Sequence, residues 1–530
     1  MERQSDMKLT LNTTYLNFPV TTGGRKRQMK MIIDGQTVRE FEIELAEGEP
    51  GLWVFMDVTE FAGKEATFEV DPPLENLIIK PSDQIEGAED LYQEKLRPQF
   101  HFSSRRGWNN DPNGMVFYDG EYHLFYQHNP YGTGWGNMHW GQTISEDLVH
   151  WTEQPDAIYP DALGTIFSGS AVVDEANTTG FQTGDEKPLV AAFTYAGPTF
   201  TQAIAYSTDR GRTWMKFDGN PVVDNITGGS DRDPRIFWHE PTGEWVMVLF
   251  LDEENSQRFG FFTSPDLKTW ALQSELPGFF ECPDLFELPV DGDSANTRWV
   301  LHGAAGEYLV GQFDGKTFTP EQERLPLSRG NCFYAAQTFS NIPADDGRRI
   351  QIGWGQVNVT DMPFNQMMLF ATELTLRATD EGIRVFAQPV AEIEKLHGQK
   401  HAWADLTVSE GDNPLSDVAG DLFDIRAEMS VGDAAEVGFN IRGVDVMWNV
   451  AKGELSCLDK VAPLAAVDGV VTLRLLVDRG SIEIFANDGL VYMPMAAAMA
   501  DDNQSLGAFT RGGAAMFKTL EVFELQSIWT

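Results

Sequence analysis

Three short acidic segments of the chain carry the side chains best suited to chemistry. In the first, N-D-P-N-G at residues 110–114, Asp111 stands before a proline, which favours an extended backbone at the aspartate. Asp233 also precedes a proline, in the segment D-R-D-P-R, and Glu281 follows two phenylalanines. Apolar neighbours disfavour the charged form of a carboxyl group, as a general acid working near neutral pH requires. One ionised and one protonated carboxyl group can together cleave a glycosidic bond, and a third can hold sugar hydroxyls.

Each segment also has a purely structural interpretation. Residues 110–114 are rich in turn-forming types, residues 231–235 suit a surface ion network, and Glu281 could stand exposed at a strand end. Cys282 beside Glu281 offers a thiol nucleophile with His302 as base, but a small neighbour that tunes the acid is the better interpretation. The chemistry therefore depends on whether the three segments meet.

The elements that would bring them together are short β-strands. Residues 114–118 and 122–126 flank Asp119-Gly120, a typical hairpin turn. A weak repeat then recurs roughly every 50–60 residues, a spacing near that of four-stranded propeller blades. Its copies are S-E-D-L-V-H-W at 145–151, S-T-D-R-G-R-T-W at 207–214, S-P-D-L-K-T-W at 264–270 and the degenerate F-D-G-K-T-F at 313–318. In each copy the aspartate would make the turn and the aromatic residue would pack against the next strand. Propeller strands start near the central axis, so residues at corresponding strand starts would converge on one pocket.

The regions on either side of the repeats predict two further β units, so the predicted fold is all-β. Residues 81–90 are polar and acidic and resemble a linker, and residues 389–397 show the best helical spacing of apolar side chains. Alternating strand patterns near the C-terminus favour a β-sandwich. The expected division is a small N-terminal β domain at 1–95, a propeller at 96–388, a linker at 389–400 and a C-terminal β-sandwich at 401–530.

The composition narrows the choice of partners. The net charge is −41, which repels nucleic acid and anionic lipid and favours a neutral partner. Three widely separated cysteines predict neither a disulfide framework nor a thiolate zinc site. His128, His139 and His302 lack the close spacing of metal ligands, so we predict no metal and no cofactor. The first six residues lack the apolar core of a signal peptide, which predicts a cytoplasmic protein, or a secreted one if an export signal was removed from this sequence.

The three segments and their neighbours resemble the signature of glycoside hydrolase family 32, the invertases, inulinases and levanases. The matching motifs are N-D-P-N-G at 110–114, R-D-P at 232–234 and E-C at 281–282, with F-Y-Q at 125–127, W-G-N-M-H-W-G at 135–141 and F-S-G-S at 167–170 in support. The resemblance covers about residues 97–530. It implies a five-bladed propeller joined to a β-sandwich, and cleavage by double displacement with retention of configuration.

The resemblance also implies a role for each site residue. Asp111 would be the nucleophile, Glu281 the acid/base, and Asp233 the stabiliser of the oxocarbenium-like transition state. The residues implied to line the fructose subsite are Asn110, Gln127, Trp135, Phe167, Ser168, Arg232 and Trp354. The chain departs from its relatives at Asp231, where many carry an aromatic residue, and we expect this to change the polarity of the subsite.

Some segments are more similar to exo-acting inulinases and levanases than to sucrose-specific enzymes. They are I-Y-P-D at 158–161, G-T-I-F-S at 164–168 and P-F-N-Q-M-M at 363–368. The expected activity is release of fructose from fructans or fructo-oligosaccharides, and from sucrose. Three alternatives stay open: a sucrose-preferring invertase, an inverting arabinan-type hydrolase, and a non-catalytic carbohydrate-binding propeller protein.

Overall fold

Strands make up nearly all of the regular structure. The computed structural model describes residues 7–254, 256–500 and 502–529. Within these ranges the helical segments are three short 3₁₀ helices, Thr59–Phe61, Ala88–Asp90 and Ala391–Leu396. None of the described helices is long and apolar enough to cross a membrane.

The first seven strands form two antiparallel sheets around one core. They are β1 (Met7–Thr10), β2 (Tyr15–Val20), β3 (Arg27–Ile33), β4 (Gln36–Ile43), β5 (Leu52–Asp57), β6 (Glu65–Asp71) and β7 (Lys80–Ser82). The strand orders are β1-β6-β3-β4 and β5-β2-β7, and the core contains Phe18, Phe41 and Phe68. The linker predicted at 81–90 is wrong at its start, because Lys80–Ser82 pairs with β2 and supplies the backbone partners of that strand.

The next group of strands forms a propeller of five blades. The first three blades contain β8 (Gly107–Tyr118), β9 (Glu121–Asn129), β10 (His139–Ser145) and β11 (Thr152–Glu153); β12 (Thr165–Val173), β13 (Leu189–Ala196), β14 (Phe200–Ser207) and β15 (Met215–Lys216); and β16 (Arg232–His239), β17 (Glu244–Glu253), β18 (Ser256–Ser264) and β19 (Ala271–Pro277). The fourth contains β20 (Asp284–Val290), β21 (Asp293–His302), β22 (Glu307–Phe313), β23 (Phe318–Pro320) and the short β24 (Leu325–Pro326). The fifth contains β25 (Phe333–Thr338), β26 (Arg349–Gly355), β28 (Met367–Met368), β29 (Thr372–Thr379) and β30 (Gly382–Pro389), while β27 (Phe364–Asn365) returns to pair with β8 in the first blade.

The innermost strands of the blades surround the propeller axis. Strand β8 contacts β12 and β25, β12 contacts β16, and β25 contacts β20. The predicted hairpin in the first blade is confirmed, since Asp119 and Gly120 turn the chain between β8 and β9 with φ of 47° and 86°. This pair of positive φ angles matches the twist of a two-residue hairpin.

The sequence repeat marks the turn between the third and fourth strands of the first four blades. In each turn the aspartate side chain accepts hydrogen bonds from two backbone N–H groups that lie two to four residues further on. These aspartates are Asp147, Asp209, Asp266 and Asp314. The tryptophan then packs against a blade core, as Trp214 does in the second blade. Each copy of the repeat therefore belongs to one propeller blade, as the sequence predicted.

The segment predicted as a linker at 389–400 is regular structure. Ala391–Leu396 is a 3₁₀ helix, and the strand that follows begins at residue 397. The buried side chains Val390, Ile393 and Leu396 recur every third residue, the period of a 3₁₀ helix, and they anchor the segment in the propeller core. The helical spacing of apolar side chains that the sequence showed at 389–397 is confirmed, in the tighter 3₁₀ form.

The remaining strands form a two-sheet sandwich. They are β31 (His397–Val408), β32 (Phe423–Val431), β33 (Glu436–Ile441), β34 (Val444–Asn449), β35 (Glu454–Cys457), β36 (Lys460–Pro463), β37 (Val470–Asp478), β38 (Ser481–Ala486), β39 (Val491–Ala496), β40 (Leu506–Arg511) and β41 (Ala515–Leu525). The sheet orders are β31-β41-β32-β37-β38-β39 and β36-β35-β34-β33-β40. Phe485 and Tyr492 of the sandwich belong to the same hydrophobic core as the fifth blade, so the two units share packing.

A buried histidine joins the start of the propeller to the sandwich. The two ring nitrogens of His101 lie 2.8 Å from Asp478 and 2.7 Å from Glu483, and all three side chains are fully buried. Burial disfavours the imidazolium, but the hydrogen bonds and charges of the two carboxylates outweigh it and raise the pKa of His101 to about 9. The junction therefore contains a charged cluster at neutral pH.

Candidate active site

Irregular innermost strands shape the pocket at one end of the propeller axis. The pairing of β8 with β9 shifts register between Asn109 and Pro112, where Asp111 lies, and again after Asn113. The pairing of β16 with β17 shifts between Arg232 and Arg235. In the fourth blade, Glu281 and Cys282 precede β20 with φ of 27° and 46°. Bulges and left-handed residues turn a strand locally and re-aim its side chains. These sequence segments form irregular backbone, and that irregularity turns the acidic side chains toward the axis.

Asp111 is held by two hydrogen-bond donors. The hydroxyl of Ser168 donates to Asp111 Oδ2 at 2.6 Å, and the amide of Asn110 donates to Asp111 Oδ1 at 3.0 Å. Burial raises the pKa of Asp111, while these two hydrogen bonds favour the carboxylate form and oppose the shift. The Asn110 amide is itself fixed, because Trp108 Nε1 donates to its oxygen at 2.8 Å.

Cys282 connects two of the three carboxyl groups. Its Sγ lies 3.6 Å from Asp111 Oδ2 and 3.5 Å from Asp233 Oδ2, and its backbone N–H donates to Asp233 Oδ2 at 3.0 Å. Arg232 lies 3.8 Å from Asp233 Oδ2 and 2.7 Å from Glu281 Oε2, and the charge of Glu281 acts on both aspartates. The three acidic side chains predicted from the sequence therefore lie close together. Burial, together with the nearby Glu281 and Asp111, raises the pKa of Asp233 against the opposing effect of Arg232.

Glu281 is fixed through both of its carboxyl oxygens. Arg232 donates to Oε2 from Nε at 3.0 Å and from Nη2 at 2.7 Å, and the hydroxyl of Tyr334 donates to Oε1 at 2.6 Å. The apolar surroundings predicted from the two preceding phenylalanines are wrong. Phe279 stacks on a ring of the neighbouring blade and Phe280 is 40% exposed, so polar groups surround the carboxyl group instead.

The other predicted subsite residues lie around these carboxyl groups. Trp135 is 58% exposed and its ring meets that of Phe167 edge-on at 5.9 Å between centroids. Trp354 contacts Tyr334 edge-on at 5.9 Å and donates from Nε1 to Gln366 Oε1 at 3.1 Å. Asn110, Ser168 and Arg232 contact the acidic residues directly, as described above.

Gln127 is the predicted subsite residue with unused hydrogen-bonding capacity. It lies buried on β9, opposite Trp140 of β10. Among the residues that the structure describes, no group accepts a hydrogen bond from its side-chain nitrogen. A buried amide without a partner carries an energetic penalty that a bound hydroxyl group would remove.

A layer of hydrogen bonds closes the floor of the pocket. Gln337 donates to the carbonyl of Gly169 at 3.0 Å and accepts from the backbone of Met115 at 3.1 Å. Asn113 accepts from the backbone of Gly169 at 3.2 Å. Below this layer, the buried pair Arg235 and Asp284 lies 2.8 Å apart. The carboxyl groups therefore lie next to a hydrogen-bonded layer that links the first, second and fifth blades.

One expectation about the subsite is wrong. Asp231 does not change the polarity of the pocket, because its side chain is buried and faces the loop that precedes it. It accepts hydrogen bonds from the backbone of Ile226 and Thr227 at 2.8 and 3.0 Å, and from the backbone of Asp252 at 3.0 Å. Its role is to fix the loop between the second and third blades.

Tyr334 and Trp108 are the residues that sequence reasoning missed. Tyr334 lies on β25, the innermost strand of the fifth blade, next to a register shift like those of the other blades. The repeat that marks the other blades is absent from the fifth in the sequence, so this strand start could not be aligned with Asp111 or Asp233. Trp108 stands three residues before Asp111, and only its contact with Asn110 reveals a part in the site.

The described residues contain no group of three or more His, Cys, Asp or Glu side chains that could hold a metal ion. His128 bonds to Asp156 at 2.7 Å and to the carbonyl of Arg106 at 3.1 Å. His302 is buried against Phe333, and burial lowers its pKa to about 4. Cys282 has acidic neighbours rather than His302, and burial raises the pKa of its thiol. A thiolate nucleophile is therefore not supported.

A propeller that carries three converging carboxyl groups above a closed floor is the architecture of a glycoside hydrolase, and comparisons with known proteins agree. The model of the Glycosyl hydrolases family 32 N-terminal domain matches residues 101–389, and that of the Glycosyl hydrolases family 32 C terminal matches residues 392–524. The chain belongs to glycoside hydrolase family 32.

Individual relatives cover most of the chain. A levanase of Bacillus subtilis (strain 168) is 41% identical over 488 residues, which cover 83% of this chain and 72% of the relative. An extracellular exo-inulinase of Aspergillus ficuum is 31% identical over 521 residues, which cover 83% of this chain and 96% of the relative. The crystal structure of an exo-inulinase from Aspergillus awamori superposes with a TM-score of 0.75 at 29% identity, covering 83% of this chain and 100% of that one.

Proposed function

We propose that this enzyme is a retaining exo-β-fructosidase that releases fructose from the ends of fructans or fructo-oligosaccharides, and from sucrose. The observation that carries the proposal is the meeting of three carboxyl groups. Cys282 contacts both Asp111 and Asp233, and Arg232 lies 3.8 Å from Asp233 and 2.7 Å from Glu281. Similarity to a levanase and an exo-inulinase supports fructans as the substrate class.

In the first step, the Asp111 carboxylate attacks C2 of the terminal fructose. The bond from C2 to the leaving oxygen breaks, and the carboxyl proton of Glu281 passes to that oxygen. The product is a fructosyl ester on Asp111. In the second step, Glu281 removes a proton from water, the hydroxide attacks C2, and the ester bond breaks to regenerate the Asp111 carboxylate. This double displacement retains the configuration at C2.

The surroundings of the carboxyl groups suit these roles. Ser168 and Asn110 stabilise the ionised form of Asp111, which is the form that attacks. Arg232 and Tyr334 fix the orientation of Glu281. Asp233 would accept hydrogen bonds from fructose hydroxyls that strengthen as positive charge develops on the ring. Loss of one preorganised hydrogen bond that stabilises transition-state charge lowers a rate by about 10²–10³-fold.

The predicted subsite residues would recognise the fructose ring. Asn110, Ser168 and Arg232 contact the carboxyl groups directly, and the free nitrogen of Gln127 suits a sugar hydroxyl. Trp135, Phe167 and Trp354 supply aromatic surface at the rim, where they would pack against the ring and exclude water.

The closed floor favours exo-attack. Gln337 and Asn113 bridge the blades beneath the carboxyl groups, so a chain cannot thread along the propeller axis. A terminal unit that enters from the open end is then the one placed at Asp111. A polymer bound by an internal unit would need room on both sides of that unit.

Product analysis tests this function. The enzyme is incubated separately with inulin, levan and sucrose, and the released sugars are identified by chromatography. Free fructose alone from the polymers is the expected result. A ladder of oligosaccharides would contradict exo-attack, and activity on sucrose alone would favour an invertase. NMR of the first-formed fructose checks the stereochemistry, since initial inversion would exclude double displacement.

A further inference from the structure

A large groove separates the N-terminal sheets from the open face of the propeller. Its volume is about 950 Å³, at the upper end of the roughly 300–1,000 Å³ typical of ligand sites. One wall comes from the N-terminal sheets and includes Thr22, Glu44 and Trp53. The opposite wall comes from the propeller and includes Trp135 and Asn365. Residues of both the N-terminal sheets and the propeller therefore line the groove.

Trp135 and Asn365 connect the groove to the carboxyl groups. Trp135 packs edge-on against Phe167, and the next residue, Ser168, donates to Asp111 at 2.6 Å. Asn365 stands next to Gln366, which bonds to Trp354. Since Trp354 packs on the tyrosine that holds Glu281, the groove begins at the rim of the active site.

The N-terminal wall is fixed to the propeller rim. The side chain of Asn137 accepts from the backbone N–H of Glu42 at 2.8 Å and donates to its carbonyl at 2.7 Å. Tyr131, from the same propeller loop as Trp135, stacks on Phe41 at 3.8 Å between centroids and is buried in the N-terminal core. The loop that carries Trp135 is thus held by the N-terminal sheets, and the groove is a preformed site.

The lining chemistry suits a neutral chain of hydroxyl groups. Trp53 and Trp135 offer aromatic surface, and carboxylates and amides offer hydrogen-bond partners. Acidic side chains outnumber basic ones, which disfavours anionic ligands: Glu42, Glu44, Glu86, Asp90, Glu94 and Asp361 against Lys26, Lys95 and Arg106. The family match begins at residue 101, so the N-terminal wall lies outside the part of the chain that the family defines.

We propose that this groove binds the fructose units of a β-fructan that follow the unit being cleaved, so that the N-terminal sheets form part of the substrate site. The inference rests on the proposed exo-fructosidase function, because the groove opens at the rim where the rest of the chain must leave the pocket. Trp53 is the N-terminal side chain best placed to stack on those units. Sucrose has only one unit beyond its fructose and would make no use of the distant wall.

The test compares long and short substrates. Trp53→Ala is expected to lower kcat/KM on inulin and levan about three- to tenfold, the range of one aromatic contact, through a higher KM. Its kcat/KM on sucrose should stay within twofold of the original enzyme, which also shows that the fold is intact. Trp53→Phe, which keeps an aromatic ring, should recover most of the loss.

Ile78→Ala is the matched control, because Ile78 is a 51% exposed apolar side chain of the same N-terminal region and does not line the groove. It should leave all three substrates unaffected. Equal losses of Trp53→Ala on polymer and sucrose, or no loss on the polymers, would overturn the proposal.

A binding measurement separates this inference from the proposed function. Calorimetry with inulin is carried out on Glu281→Gln, with and without Trp53→Ala. Weaker binding of inulin by the double variant supports fructan binding in the groove, even if the enzyme proves to hydrolyse a different fructoside. Equal affinity of the two proteins for inulin would overturn the proposal that the groove binds fructan, whatever the activity of the original enzyme. Lack of hydrolysis of every fructoside by the original enzyme would instead count against the proposed function.

Discussion

The hydroxyl group of Tyr334 donates a hydrogen bond to Glu281 Oε1 at 2.6 Å, from the fifth blade to the end of the loop that enters the fourth. Burial and the neighbouring Glu281 both raise the pKa of Tyr334, so the hydroxyl keeps its proton and remains a donor. With Arg232 on the other oxygen, Glu281 has a single orientation. An acid/base that must reach both the leaving oxygen and the incoming water depends on such positioning.

Tyr334→Phe removes this donor and leaves the ring in place. We expect kcat on fructans to fall about tenfold, because one hydrogen bond contributes about 0.5–1.5 kcal/mol net and a tenfold change in rate corresponds to about 1.4 kcal/mol. Arg232 keeps part of the positioning. Steady-state kinetics on inulin and sucrose measure the effect. The matched control is Tyr195→Phe, since Tyr195 donates to Asp161 at the same distance of 2.6 Å but lies outside the pocket. Equal losses in the two variants would contradict a positioning role.

Glu281→Gln replaces the proposed acid with a group that cannot donate a carboxyl proton. Turnover of natural fructosides should be abolished, because their leaving oxygen needs that proton. Activated fructosides with good leaving groups should still react in the first step, and a burst of released leaving group followed by slow turnover is expected. Pre-steady-state kinetics record this burst. Equal loss on both substrate types would count against Glu281 as the acid.

Ser168→Ala should shift the acid limb of the pH profile. Burial raises the pKa of Asp111, and the hydrogen bond from Ser168 opposes that shift. Removal of the hydroxyl makes Asp111 bind a proton more readily, so the nucleophile loses its charge at a higher pH. The acid limb of kcat/KM should therefore move to higher pH, and kcat should fall roughly tenfold.

Ser170→Ala is the control for this shift. Ser170 lies on the same strand and is also buried, but its hydroxyl donates to the carbonyl of Pro234. Its substitution should reduce stability and leave the acid limb where it was. A pH profile of Ser168→Ala that superimposes on that of Ser170→Ala would exclude the assigned effect on Asp111.

The cluster at the junction of propeller and sandwich should make stability depend on pH. The folded-state pKa of His101 is about 9, above the ordinary value of 6.5. A raised pKa contributes stability that is complete below about pH 6.5 and is lost as the pH rises through about 9. The free energy of unfolding should decrease across this window by on the order of 3 kcal/mol.

Chemical denaturation between pH 6 and 10 measures this change. His101→Gln keeps a polar side chain but cannot become charged, so its stability should be lower at pH 6 and should lack the decrease contributed by His101. An identical pH dependence in the variant would show that other groups are responsible.

The sequence by itself determined the strands and turns of the propeller blades and indicated which acidic residues belong to the site. Asp147, Asp209 and Asp266 make the turns that the repeat predicted, because the geometry of a turn is a local property of a few residues. Asp111, Asp233 and Glu281 could be chosen because they stand among turn residues, and their motifs resemble those of a known family. The apolar surroundings expected for Glu281 were wrong, because neighbours in sequence need not be neighbours in space.

Tertiary structure alone decided which groups meet. Tyr334 reaches Glu281, and Cys282 lies between Asp111 and Asp233, only because five blades close around one axis and their innermost strands bulge there. Docking of the N-terminal sheets on the propeller placed Trp53 across a groove from Trp135. These contacts join residues far apart in the chain, and no local pattern encodes them, because their distances follow from the packing of whole sheets.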